Sequence, residues 1–150
     1  MIDPKELRIG NLVSTNVDTG TIIMPTGFPF IVYTIGFSGC EILNDLSKPW
    51  AQQEPFPAKY NRLEPIPITP EWLERLGFER KYKNENTIHW VKFSAKHLSF
   101  VITECSSLFG MEYNAYGADH CPQIFHIHQL QNLYHALTGQ ELTVKELTAI

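Results

Sequence analysis

The sequence predicts an α+β protein, in which a β-rich first half is followed by an antiparallel sheet packed against two helices. Residues 5–44 contain short apolar runs separated by Gly and Pro, a pattern typical of strands joined by tight turns. Residues 79–116 contain further short runs of this kind, which suggest an antiparallel meander. The segments 69–76 and 128–138 instead place apolar residues at helical spacing.

Composition limits the class of protein. The chain has 150 residues and a formal net charge of -4, and this acidic balance argues against a broad basic face that wraps duplex nucleic acid. Cys40, Cys105 and Cys121 are an odd number without paired spacing, which favours reduced thiols and a cytoplasmic location. No apolar run approaches the roughly 20 residues that span a bilayer, so we expect no membrane association.

The first 45 residues predict a β-rich subdomain. Several short strands with tight turns within about 40 residues are typical of a small curled sheet or an SH3-like barrel. The alternative is that these strands extend one larger sheet. The expected strands are residues 12–15, 21–24, 30–35 and 40–43.

Residues 46–67 predict a proline-rich connector that lies packed on the body of the protein. Six of the ten prolines fall between residues 46 and 70, and proline disfavours both helices and central strands. Trp50, Phe56 and Tyr60 are too apolar for a free linker. A polyproline ligand for a partner is the alternative, but no basic residue closely flanks the prolines at 67–70.

The segment 68–78 predicts a short helix with a signal at each end. Thr69 is a suitable N-cap, and Pro70 falls at the first helical position, where its missing N–H is not needed. Gly77 predicts the end of the helix, because glycine readily adopts the left-handed conformation. The expected buried stripe comprises Trp72, Leu73 and Leu76.

Residues 68–150 form the predicted α+β subdomain, and its last helix has two distinct faces. The helix is expected over 128–138 and ends at Gly139. Its apolar stripe comprises Leu130, Leu133, Tyr134 and Leu137, and its opposite face comprises His128, Gln131, Asn132 and His135. This polar but weakly charged face suits a protein partner or a neighbouring loop whose backbone needs donors and acceptors, and we favour the loop.

Three segments carry a resemblance to a known family. They are residues 5–11 (KELRIGN), residues 64–78 (EPIPITPEWLERLGF) and residues 128–142 (HQLQNLYHALTGQEL). Together they resemble a family of short uncharacterised proteins from anaerobic gut bacteria and their phages or prophages. The resemblance implies an intracellular accessory protein of mobile-element origin and transfers no catalytic residue. We therefore expect a non-catalytic interaction protein whose partner is another protein.

A small metal-dependent hydrolase is one alternative function. His120, Cys121 and His128 offer the imidazole and thiolate ligands that zinc prefers, near Asp119, His126 and His135. The competing interpretation is that His128 decorates the start of the last helix and Cys121 is a small buried apolar residue. No His-Glu-x-x-His, paired-cysteine or phosphate-cradling motif occurs, so we assign no catalytic residue, no metal ligand and no cofactor.

A nucleic-acid-binding module is the other alternative. The hairpin over residues 80–97 interleaves basic and aromatic side chains that would neutralise and stack on a single strand. The competing interpretation is a solvated hairpin that is partly balanced by Glu74, Glu79 and Glu85. The candidate contact residues are Lys81, Lys83, Trp90 and Lys92.

Overall fold

A computed structural model describes residues 1–18, 23–84, 87–93, 99–107, 110–116 and 123–145. These residues form two antiparallel sheets and two helices, so the α+β prediction is confirmed. In the described ranges, no helix is long and apolar enough to cross a membrane.

The first sheet has six strands in the order β2-β1-β3-β4-β5, with β6 paired to β1. β1 meets three neighbours in succession: β3 at residues 12–13, β6 at 14–15 and β2 at 16–18. No closed barrel is found within the described residues, where β5 and β6 are not paired with each other. The strands are β1 (Leu12–Asp18), β2 (Ile23–Pro25), β3 (Phe30–Ile35), β4 (Gly39–Leu43), β5 (Phe56–Lys59) and β6 (Leu63–Glu64).

The proline-rich segment 46–67 supplies two strands of this sheet, a contribution that the sequence analysis did not predict. β5 lies at the edge of the sheet and contains Pro57, which an edge strand tolerates because one side needs no donor. Trp50 packs edge-on against Tyr33 of β3, with ring centroids 6.0 Å apart. Phe56 packs in the same way against Phe30.

The second sheet is a meander of five strands in the order β11-β10-β9-β8-β7. Each strand pairs with its neighbour in sequence, as four successive short strands predicted, and a short fifth strand follows. Its strands are β7 (Glu79–Asn84), β8 (Thr87–Phe93), β9 (Ser99–Ser107), β10 (Gly110–Tyr116) and β11 (Gln123–Ile124).

Helix α1 (Pro70–Arg75) begins and ends where its sequence predicts. The Thr69 hydroxyl accepts a hydrogen bond of 3.3 Å from the backbone N–H of Trp72. Gly77 has a φ of 85°, and the chain then turns back so that the N–H of Phe78 donates to the Leu73 carbonyl. These contacts satisfy backbone groups that a free helix end would leave without partners.

Helix α2 (Ile127–Thr138) ends at Gly139, with a φ of 72°, as predicted. Its buried face differs from the predicted stripe, because Leu137 is 63% exposed while His128 and Gln131 are buried. The helix buries two faces, since Leu130 and Tyr134 join the apolar core and its polar side contacts the N-terminal loop.

A single cluster of buried apolar side chains connects the two sheets. Leu12 and Ile31 of the first sheet belong to the same cluster as Leu73, Trp90 and Tyr134 of the second half. A smaller cluster lies within the first sheet and is built from Val13, Val32, Ile42, Leu63 and neighbouring side chains. The larger cluster fixes the N-terminal loop beside α2, where the polar contacts described next are made.

Candidate functional site

Gln131 joins helix α2 to two other parts of the backbone. Its Oε1 accepts a 2.7 Å hydrogen bond from the backbone N–H of Leu12. Its Nε2 donates to the carbonyl oxygens of Gly10, at 3.1 Å, and Leu142, at 3.0 Å. The amide is buried, so these bonds replace water at three groups that would otherwise be desolvated without partners.

Asn132 makes a second set of bonds to the same N-terminal loop. Its Oδ1 accepts from Asn11 Nδ2 at 2.9 Å and from Arg8 Nη1 at 3.4 Å. Its Nδ2 donates to the Glu6 carbonyl oxygen at 2.6 Å. The prediction that the polar face of this helix serves a neighbouring loop is therefore confirmed.

The middle segment of the family resemblance reaches the same region. The N–H of Ile127, the first residue of α2, donates to the Ile66 carbonyl at 2.9 Å. The N–H of Ile68 donates to the Phe125 carbonyl, and Pro67 forms an isolated bridge with His126. The residues directly before the third segment, 125–127, thus contact the middle segment, while Gln131 and Asn132 within the third segment contact residues 5–11.

Two histidines stack at the start of α2. The rings of His126 and His128 lie 5.7 Å apart and 11° from parallel. His128 is 1% exposed, and its Nε2 lies 3.1 Å from Glu6 Oε2. Burial lowers the pKa of His128 below its usual value, against the opposing effect of Glu6. Burial and the neighbouring His128 likewise lower the pKa of His126.

Only one of the three candidate metal ligands, His128, belongs to the described residues. His120 and Cys121 lie outside the described residues. His128 contacts Glu6 and His126, and the described ranges contain no group of three or more His, Cys, Asp or Glu side chains suited to a metal ion. The competing interpretation placed His128 at the start of the last helix, and the structure places it there, in the first turn of α2.

Trp90 is not available to stack on a base, and this part of the nucleic-acid hypothesis is wrong. The side chain is 1% exposed, and its indole N–H donates to Glu104 Oε2 at 2.7 Å. The alternation along β8 directs Trp90 toward the helices, a direction that the sequence did not reveal because both strand faces carry apolar residues.

The three candidate lysines do not form one described basic surface. Lys92 Nζ donates to the Leu76 carbonyl at the end of α1, and burial lowers the pKa of this lysine. Lys81 is exposed and lies 3.4 Å from the carboxylate of Glu79. Lys83 belongs to β7, but its side chain lies outside the described part of the structure.

A cleft of about 570 Å³ opens between the N-terminal loop, α2 and residues 141–144. Its floor includes the buried side chains of Leu12, Ile31 and Val144. Its rim includes Ile9 and Ile35, which are 51% and 42% exposed. Trp50 forms part of the wall, so most of the lining is apolar.

An ion pair lies at the mouth of this cleft. Arg8 Nη2 lies 2.6 Å from Glu141 Oε1, and the two side chains are 31% and 48% exposed. Glu141 Oε1 also lies 3.5 Å from His135 Nε2. Gly10 adopts a φ of 92°, a left-handed conformation that favours glycine and allows the loop to turn between Glu141 and Trp50.

Arg8, Trp50 and Glu141 were not identified as site residues from the sequence. Arg8 and Glu141 are 133 positions apart, and no spacing rule connects residues at that distance. The available signal was that both occur in segments of the family resemblance, residues 5–11 and 128–142.

No family model, curated protein or solved structure matches the chain.

Proposed function

We propose that this chain is a non-catalytic accessory protein of phage or prophage type that binds an apolar segment of a partner protein in the cleft. The observation that carries the proposal is the apolar lining, in which Ile9 and Ile35 remain about half exposed. Covering such side chains removes apolar surface from water and favours association. The volume of about 570 Å³ lies within the usual range of ligand sites.

The polar groups around the cleft support binding over catalysis. All three bonds of the Gln131 amide go to backbone groups. The guanidinium of Arg8 and the carboxylate of Glu141 bond to each other. A general acid, base or nucleophile needs to be aimed at a reacting atom, whereas these groups hold the walls of the cleft together.

The phage or prophage assignment is supported by the resemblance of three sequence segments that also lie together in the fold. The Gln131–Gly10 bond joins the first and third segments, and the Ile127–Ile66 bond joins the middle segment to the residue that directly precedes the third. The genes beside this one test the assignment. Phage structural or replication genes would support it, and a metabolic operon would contradict it.

An NMR titration of the isotope-labelled chain tests cleft binding. The probe is the blocked peptide acetyl-Gly-Ser-Ile-Phe, used as its free acid and as its amide, with a Gly-Ser peptide as the apolar-free control. We expect at least one form of the probe to shift the amide resonances of residues 7–12 and 141–144. The Gly-Ser peptide should leave them in place, because it has no apolar group to bury.

A matched pair of variants locates the binding. Ile9→Asp places a charge on the rim of the cleft and should weaken binding of the peptide at least about tenfold, since the aspartate must be desolvated when the peptide binds. Phe28→Asp changes an exposed apolar residue outside the cleft lining and should have no effect. Shifts that map elsewhere, or that persist in Ile9→Asp, would contradict the proposal.

A further inference from the structure

The mouth of the cleft indicates a more specific occupant. We infer that the cleft binds the C-terminal residue of a partner polypeptide, with its apolar side chain inside and its α-carboxylate on Arg8 in place of Glu141. This inference rests on the proposed function, because it names the group that the cleft recognises. Its chemical basis is the combination of an apolar lining with one guanidinium at the edge.

Arg8 is held in position by contacts that do not involve Glu141. Its backbone N–H donates to Asn11 Oδ1 at 2.7 Å, and its Nη1 donates to Asn132 Oδ1 at 3.4 Å. The guanidinium therefore keeps one hydrogen-bond partner, Asn132, when Glu141 moves away. Its planar arrangement of donors matches the two oxygens of a carboxylate, which makes it a suitable site for a chain end.

Glu141 is a displaceable occupant of this position. Its carboxylate is the same chemical group as a polypeptide C-terminus, so the Arg8–Glu141 bond shows that the mouth accepts a carboxylate. The pair is substantially exposed, and such pairs contribute little to stability. After displacement, Glu141 has a second partner nearby, because His135 Nε2 already lies 3.5 Å from its Oε1.

The segment that carries Glu141 supports a polypeptide over a free fatty acid. Between residues 141 and 144, Leu142 and Val144 are buried while Glu141 reaches Arg8. The backbone of this segment is also held, since the Leu142 carbonyl accepts from Gln131 Nε2. The mouth of the cleft therefore already holds a backbone segment with a carboxylate on Arg8 and one apolar side chain, Val144, in the cleft lining, which is the pattern that a bound chain end would reproduce.

Three probes separate the parts of this inference: acetyl-Gly-Ser-Ile-Phe free acid, the same peptide as its amide, and octanoate. Dissociation constants are measured by NMR titration of the full chain. We expect the free acid to bind at least about tenfold more tightly than the amide, since only the acid pairs with Arg8. Octanoate should bind at least about tenfold more weakly than the free acid, because it lacks a backbone and side chains.

Variants at the mouth then test the role of the ion pair. Glu141→Gln removes the competing carboxylate and should lower the dissociation constant of the free-acid peptide about threefold to tenfold. Misfolding cannot produce such a gain in affinity. Arg8→Gln should bring the affinities of the acid and the amide together. Lys5→Gln removes the same charge from a nearby exposed residue outside the cleft and should preserve the difference.

Each contrary result identifies what is wrong. Equal affinities for the acid and the amide would overturn the carboxylate inference and leave cleft binding intact. Octanoate that binds as tightly as the free acid would overturn the polypeptide source. Failure of both peptide forms to bind would overturn this inference together with the proposed function.

Discussion

His128 places an ionisable ring inside the molecule, where its neighbours are one carboxylate and a second imidazole. Glu6 favours the protonated form of His128, while burial disfavours charge on both imidazoles and His128 further disfavours charge on His126. Burial is the largest influence on each residue, so the pKa of each is lowered. The neutral pair is therefore the form that the fold accommodates.

This pair predicts that the protein loses stability in mild acid. Because the folded-state pKa values are lowered, the unfolded chain binds more protons once the pH falls toward the free imidazole value of about 6.5. Stability is fully present above that value and decreases as the pH falls through it toward the folded-state values. We expect a lower free energy of unfolding in urea at about pH 5.5 than at about pH 7.5.

Two histidine variants identify the source of this decrease. His126→Gln removes one of the two imidazoles whose pKa is lowered, so the decrease should become smaller. His135→Gln changes an imidazole that is 42% exposed and is the control for the loss of a histidine outside the stacked pair. Stability that is constant or rises toward about pH 5.5 would contradict the role assigned to the pair.

Helix α2 is the element through which the two ends of the described chain meet. Its residue Gln131 contacts the loop at Gly10 and Leu12 on one side and Leu142 on the other. Without this amide, one buried N–H and two carbonyl groups lose their partner. The free-energy cost of leaving a buried polar group without a partner exceeds the modest net gain from an ordinary hydrogen bond.

Gln131→Leu should therefore destabilise the protein, even though leucine fills a similar volume. We expect a decrease of about 3 kcal/mol in the free energy of unfolding, measured by urea denaturation. Gln52→Leu is the matched control, because Gln52 is exposed and the change should cost less than about 0.5 kcal/mol. A cost for Gln131→Leu as small as that of the control would show that the backbone groups find other partners.

The two helices show what the sequence predicts at this scale. Helix α1 was predicted at both ends, because Thr69 and Gly77 act within one turn of themselves. The buried face of α2 was only partly predicted, since the exposure of Leu137 and the burial of Gln131 depend on the distant N-terminal loop. Local chemistry fixes where a helix begins and ends, whereas tertiary contacts decide which faces it buries.

At the scale of the whole molecule, the α+β class and the meander were predictable, and the cleft was not. Alternation and turn residues operate between neighbours, so strands appear in the sequence pattern. The cleft instead depends on Arg8 meeting Glu141 across 133 positions and on Trp50 lying against the loop at Gly10. The burial of Trp90 was missed for a related reason, because its strand carries apolar residues on both faces.

The shared core predicts that the two sheets unfold together. Leu12 of β1 is buried in the same apolar cluster as Leu73 of α1 and Leu130 of α2. Leu12→Ala should lower the free energy of unfolding by about 2–5 kcal/mol, because it leaves a cavity within that cluster. If the core acts as one unit, the decrease in the free energy of unfolding should be the same whether it is measured in the first or the second sheet.

Fluorine NMR of the chain labelled with fluorotryptophan shows directly, during urea denaturation, whether the two sheets unfold together. Trp50 reports on the region beside the first sheet, while Trp72 and Trp90 report on α1 and the second sheet. We expect one transition midpoint for all three resonances in the wild type, and one common shift in Leu12→Ala. If the Trp50 resonance shifted alone, the sheets would be separately stable, and the cleft walls would belong to two units that move independently.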